Sequence, residues 1–135
     1  MVNGDLEQPL TLQWLEVRES QVTSQEELDR ELDRLNAEAS ASEPMIVSAI
    51  HPGGAVLSIG LGRDSSYLNF AASPDPPYYS SLGDEAADGV VEFAYGGQPT
   101  EYPRNALVPL NVAREAARKF LKTGERPSGL RWQLD

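Results

Sequence analysis

The chain has 135 residues, no cysteine and a single histidine, and its 21 acidic against 11 basic side chains give a net charge of −10. A chain of this length suits one compact domain with a true core. The composition excludes disulfides and thiolate metal sites, and the negative field argues against nucleic acid or an anionic membrane surface and for a basic protein as partner.

The sequence reads as one domain over 1–135, with 1–10 expected to be disordered. The N-terminal residues show no basic n-region and no apolar h-region. No apolar run approaches the ~20 residues of a membrane span. The expected compartment is the cytoplasm.

Residues 11–17 (TLQWLEV) alternate in part and predict a short strand. Ser24 with Glu27 three residues on forms a capping box. Leu28, Leu32 and Leu35 then recur at helical spacing, which predicts a helix from 25 to about 39. Two apolar runs, 45–50 and 55–61, flank the turn sequence His51-Pro52-Gly53-Gly54 and predict a hairpin. Gly62-Arg63-Asp64 turns the chain into a third strand at 66–70.

Residues 71–88 read as a long loop carrying Pro74, Pro76, Pro77 and the pair Tyr78-Tyr79, and loops of this length are often functional. A strand at 89–95 follows, then a turn at Gly96-Gly97-Gln98 and a return at 100–103. Pro109 opens a second helix. Val112, Ala113, Ala116, Ala117, Phe120 and Leu121 form its buried face, and Arg114, Arg118, Lys119 and Lys122 are expected on its exposed side. Gly124 is placed to end that helix, and 129–134 predicts a last strand. Strands flanked by helices, without βαβ alternation, define an α+β fold. The expected sheet is mainly antiparallel with about five or six strands, and one main helix lies near each end of the chain.

The charge is uneven along the chain. Residues 1–43 carry a net −8, residues 44–101 a net −6 and residues 102–135 a net +4. A basic partner is therefore expected at the first helix or the central loops, not at the second helix.

Little in the chain points to catalysis. His51 sits in a turn sequence, and one histidine without cysteine builds no usual zinc site. Asp84, Glu85 and Asp88 cluster, but not in the order of a calcium loop. Gly60-x-Gly62 and Gly96-Gly97 do not open a helix after a strand, so neither is a phosphate loop. Ser48 and His51 come with no nucleophile elbow. The reading is a binding protein with no catalytic, cofactor-binding or metal-ligating residues.

Four segments then carry a resemblance: IGLGRDSSYL (59–68), DPPYYSSLGD (75–84), EFAYGGQPTEYPRNALVP (92–109) and TGERPSGLRWQ (123–133). Together, over roughly 45–133, they resemble the first-numbered immunity protein family of bacterial polymorphic toxin systems. The resemblance implies a protein encoded beside a toxin, which it neutralises by direct binding. It further implies a toxin that is often a nucleic-acid deaminase, including cytidine deaminases. Such zinc enzymes admit a base into a pocket, and a channel for a polyanion is expected to be basic, so an acidic protein is suited to plug it.

The family supplies no active site to transfer. Because loops hold binding residues more often than buried strands do, the candidate contacts are Asp75, Tyr78, Tyr79, Asp84, Glu85 and Asp88, then Gln98 and Glu101. The tyrosines would anchor and the carboxylates steer. Adjacent Tyr78 and Tyr79 are expected to face opposite ways. The competing placement packs this loop on its own sheet and leaves binding to the acidic helix. The rival function is an acidic regulatory or scaffold module for another basic protein.

Overall fold

The structure, a computed structural model, describes residues 7–15 and 17–135. Residues 1–6, within the segment expected to be disordered, and residue 16, within the expected first strand, lie outside the described residues.

In chain order the elements are β1 (Leu10–Trp14), β2 (Arg18–Val22), α1 (Gln25–Ala41), β3 (Met45–Ile50), β4 (Val56–Leu61), β5 (Ser65–Ser66), β6 (Leu68–Ala71), β7 (Tyr78–Leu82), β8 (Val90–Tyr95), β9 (Gln98–Pro103), a 3-10 turn (Arg104–Ala106), β10 (Val108–Pro109), α2 (Leu110–Thr123) and β11 (Arg131–Leu134). The main sheet runs β11-β7-β6-β4-β3-β1-β2 with every neighbour antiparallel. β8 joins β3 in parallel at Met45 and Ala94 and pairs β9, which brings the sheet to nine strands. β5 and β10 make a separate two-stranded ladder.

The α+β class holds, but nine strands replace the expected five or six. Two of the additions have physical reasons. β2 reads RESQV, a polar edge strand with no apolar alternation. β7 lies inside the segment 71–88 read as a loop. Its two central serines are buried yet satisfied. Ser81 Oγ accepts from the Leu68 amide at 3.0 Å and donates to the Ala106 carbonyl at 2.6 Å. Ser80 Oγ lies 2.7 Å from the Tyr67 hydroxyl and 2.7 Å from the Asp135 carboxylate. Partnered hydroxyls of this kind are tolerated inside a sheet.

Both helices pack on one face of the sheet. Leu28, Leu32, Leu35 and Ala39 of α1 and Ala113, Ala116, Ala117, Phe120 and Leu121 of α2 meet Leu10, Leu12, Val47, Leu57, Ile59, Leu61, Leu68 and Phe70 in one apolar cluster. The rings of Phe70 and Phe120 meet edge-on at 6.1 Å, and His51 meets Phe120 in the same way at 5.7 Å. His51 is thus a packing residue beneath the end of α2.

The start of α1 is as the capping box predicts. Ser24 Oγ accepts from the Glu27 amide at 3.2 Å, and the Glu27 carboxylate accepts from the Thr23 amide at 2.7 Å and its hydroxyl at 2.9 Å. These hydrogen bonds, led by the Thr23 amide, hold the Glu27 carboxyl below its ordinary value of 4.5. A lowered carboxylate contributes stability above its unfolded value and loses it as pH falls through its folded value. The melting-temperature gap between the parent and Glu27→Gln should therefore be open at pH 7 and close as the pH is taken below about 4.5. A gap that does not narrow as the pH falls below this value would contradict it.

The second helix departs from expectation. Arg114 and Arg118 are not on its exposed side but face α1. Arg118 Nε donates to Asp29 Oδ1 at 2.8 Å, and an Arg114 guanidinium N–H donates to the Asp29 carbonyl at 3.1 Å, while the same nitrogen forms an ion pair with Asp33 Oδ1 at 2.9 Å. Hydrogen bonding to Asp29 raises the Arg118 pKa further. The acidic and basic segments of the sequence thus partly neutralise each other across the helix pair. At its far end α2 stops at Gly124, whose φ of 67° is left-handed and whose amide donates to the Phe120 carbonyl at 2.8 Å.

Candidate functional site

Side chains alternate across a strand, so the sheet face away from the helices is set by the ladder register. One row crosses all seven strands of the main path: Gln133, Ser80, Asn69, Ser58, Ser48, Gln13 and Glu19. Every member is polar. The adjacent row, Gln21, Thr11, Ile50, Val56, Ala71 and Tyr78, is mixed, with half-buried apolar members in its centre. Neither of the two described α-helices covers either row.

The β8–β9 hairpin closes the other end of this face. Phe93 is fully buried there with Ile46 and Val91, against Tyr67, Tyr102 and Leu107. Its ring occupies the space over Gly60, where a Cβ would lie 2.7 Å away. The Tyr67 and Tyr102 rings are 4.3 Å apart. Burial, and then the neighbouring Tyr67 and Tyr95, push the Tyr102 phenol from 10.0 up to about 12. Burial raises Tyr67 as well. A raised pKa contributes stability that is complete below the unfolded value and lost as pH rises through the folded one. The protein should therefore lose stability between pH 10 and about 12, and Tyr102→Phe should flatten that limb of a melting-temperature profile. An unchanged alkaline limb in the variant would exclude this pair as its cause.

Between the tips of the β1–β2 and β8–β9 hairpins lies a cleft of about 220 Å³ lined by Gln13, Trp14, Leu15, Ile46, Ser48, Tyr95 and Gly96. Of the lining side chains, Tyr95 is 55 % exposed. Leu15 has a φ of 52°, a costly conformation for a bulky residue.

The structure divides the eight residues expected at the site. Asp75, in the β6–β7 connection, and Tyr78 lie at one end of β7; Asp84, Glu85 and Asp88 follow the other end. A five-residue strand separates the two groups by roughly 16 Å. The tyrosines do face opposite ways. Tyr78 is on the open face and its hydroxyl donates to the Pro74 carbonyl. Tyr79 packs on the helix-side core under the Arg126 guanidinium, 4.1 Å from its ring centre. Glu85 pairs with Arg131 at 2.9 Å, and the Asp84 carboxylate accepts from the Ala86 amide at 3.0 Å. Gln98 and Glu101 are exposed on β9, with Glu101 directly opposite Glu92.

Among the described residues, Asp84, Asp88, Glu92, Glu101 and Glu19 have no ion-pair partner. Like charges opposite one another, as at Glu92 and Glu101, are unfavourable in an isolated sheet. The polar row and the cleft escaped the sequence reading. Serines at positions 48 and 58, set singly between apolar neighbours, were the signal, but only the register shows that they align.

No group of three or more His, Cys, Asp or Glu is placed to hold a metal ion among the described residues, and none of the described helices is long and apolar enough to cross a membrane. The fold is that of an α+β protein with one face of its sheet closed by helices and the other open. The profile of immunity protein Imm1 matches residues 16–134, nearly the whole chain, and the chain belongs to the Imm1 immunity protein family. No curated protein matches it. Membership gives a toxin-neutralising role and a cognate toxin as partner.

Proposed function

We propose that the protein neutralises a secreted nucleic-acid deaminase, a cytidine deaminase in the first instance, by binding it tightly and covering its active site or substrate channel. It does so without catalysis of its own and in the cytoplasm. The observation that supports this step beyond the family is the charge. The acids of α1 are partly cancelled by Arg114 and Arg118, whereas Asp84, Asp88, Glu92 and Glu101 stand without ion-pair partners among the described residues. Carboxylates at the β7–β8 connection and on the β8–β9 hairpin suit a surface that otherwise receives phosphates. The sequence candidates Asp84, Asp88 and Glu101 belong to this acidic surface; Asp75 and Tyr78 would need a second contact region.

The test is co-expression of this chain with the toxin domain encoded beside it. Cells should survive only when both are made, and uracil should accumulate in nucleic acid only when the immunity protein is absent. Continued killing in the presence of soluble protein, with no complex recovered, would reject the function. Rescue from a toxin of another chemistry would retain the immunity role and reject the deaminase.

A further inference from the structure

The geometry points to the cleft between the β1–β2 and β8–β9 hairpin tips as the docking site for an arginine- or lysine-bearing loop of the toxin. This rests on the immunity reading and adds to it where the partner enters.

The first argument is size. Small-molecule sites usually enclose about 300–1,000 Å³. A cleft of about 220 Å³ is small for that and suits an inserted protein side chain. Its rim has the make-up of an interface centre. Tyr95 offers an exposed ring, while Gln13 and Ser48 supply hydrogen-bonding groups on the same polar row. Exposed aromatic side chains beside satisfied polar groups are typical anchors for a protein partner.

The second argument is charge, and it selects a basic occupant. Glu19 stands at the β1–β2 end of the row, with only a 3.4 Å contact to the Gln13 amide. Glu92 and Glu101 oppose one another on β8–β9 but alternate away from Tyr95, with Glu92 beside Pro44, Arg63 and Pro99, so the carboxylate next to the cleft is Glu19. The nearby arginines do not cancel Glu19. Arg18 lies opposite Trp14 in register and therefore on the helix side of the sheet. Arg63 is committed to the Glu92 carbonyl at 2.8 and 3.1 Å and to the Phe93 ring. A cation entering here would meet the face of Tyr95, an attraction that strengthens as water is excluded.

The experiment uses the full chain and the purified enzymatic domain of the adjacent toxin, with binding kinetics measured at several salt concentrations. Tyr95→Ala should weaken the complex at least tenfold, mostly through faster dissociation. Glu19→Arg should slow association and reduce its salt dependence. Glu26→Arg, in the first turn of α1, carries the same change of charge and should alter affinity less than twofold. Hydrogen exchange on the parent complex gives a reading free of any folding defect: amides of 13–19 and 95–98 should gain protection. If the parent binds the toxin, but Tyr95→Ala and Glu19→Arg bind equally well and these amides stay unprotected, the docking site is wrong and the immunity role survives. If the parent forms no complex with the toxin, the immunity reading fails and the docking site with it.

Discussion

Phe93→Ala is expected to lower the unfolding free energy by about 3–5 kcal/mol, the usual cost of emptying a buried phenylalanine site. Phe93 is fully buried in the small cluster beneath the β8–β9 hairpin, and the residue below it is Gly60, which has no side chain to move into the space. The Arg63 guanidinium, 5.5 Å from the ring centre, would lose its stacking partner. Because the hairpin lies at the edge of the fold and its pairing to β3 is confined to Met45 and Ala94, part of the hole should close by hairpin movement, which favours the lower end of that range. A second substitution separates hole from shape. Gly60→Ala alone places a Cβ 2.7 Å from the Phe93 ring and should destabilise. In the Phe93→Ala background the same methyl has room. The double variant should therefore be more stable than the two single effects predict, by a coupling of about 1 kcal/mol or more. Urea unfolding of the four proteins measures this, and simple additivity would show that the two residues do not share the space. The hairpin carries Tyr95, so Phe93→Ala should also loosen toxin binding before it unfolds the protein.

What the sequence made legible follows the range of the forces involved. α1 was readable to within two residues because its signals are local: a cap, an acid three residues later and a leucine stripe. Gly124 ended α2 for a similarly local reason. β7 was not readable, since YYSSL between prolines and a glycine has no apolar alternation. Its serines are acceptable inside the sheet only because Leu68, Ala106, Tyr67 and Asp135, as many as 55 residues away, supply their partners. The role of α2 was misjudged for the same reason. Arg114 and Arg118 meet Asp29 at sequence separations of 85 and 89, which no periodicity records. The expected contacts are spread more widely in the fold than in the sequence. Acids and tyrosines of the central segment were singled out from composition, and the structure then divided them between two ends of β7. The cleft formed by hairpin tips far apart in sequence needed the fold.

Gly83→Ala is expected to be as damaging as any core truncation, although Leu82-Gly83-Asp84 reads as an ordinary turn. The reason is not backbone freedom, since Gly83 needs no positive φ; it is space. A Cβ at this position would lie 1.8 Å from the Leu107 carbonyl oxygen and 2.9 Å from its carbon. Both are backbone atoms, so no side chain can swing aside. Relief requires the 104–107 segment to move away. That segment is held by the Gly83 amide donating to the Asn105 carbonyl at 2.7 Å and by Ser81 Oγ donating to the Ala106 carbonyl at 2.6 Å. Moving it breaks both bonds, leaves the buried Ser81 hydroxyl short of an acceptor, and disturbs Val108 and the entry to α2. Overpacking typically costs about 1–3 kcal/mol, and an unmade buried hydrogen bond adds about 1–3 kcal/mol, so a loss of at least about 3 kcal/mol is expected. Gly97→Ala provides the contrast. Gly97 has a φ of 81° but nothing within 4 Å of the added carbon, so its cost is conformational and should stay near 1 kcal/mol. Equilibrium unfolding of the two variants decides the matter. If Gly83→Ala is no worse than Gly97→Ala, the close approach of β7 to the 104–107 segment does not hold in solution. If it is far worse, the glycine is there because a second backbone passes through the place of its side chain.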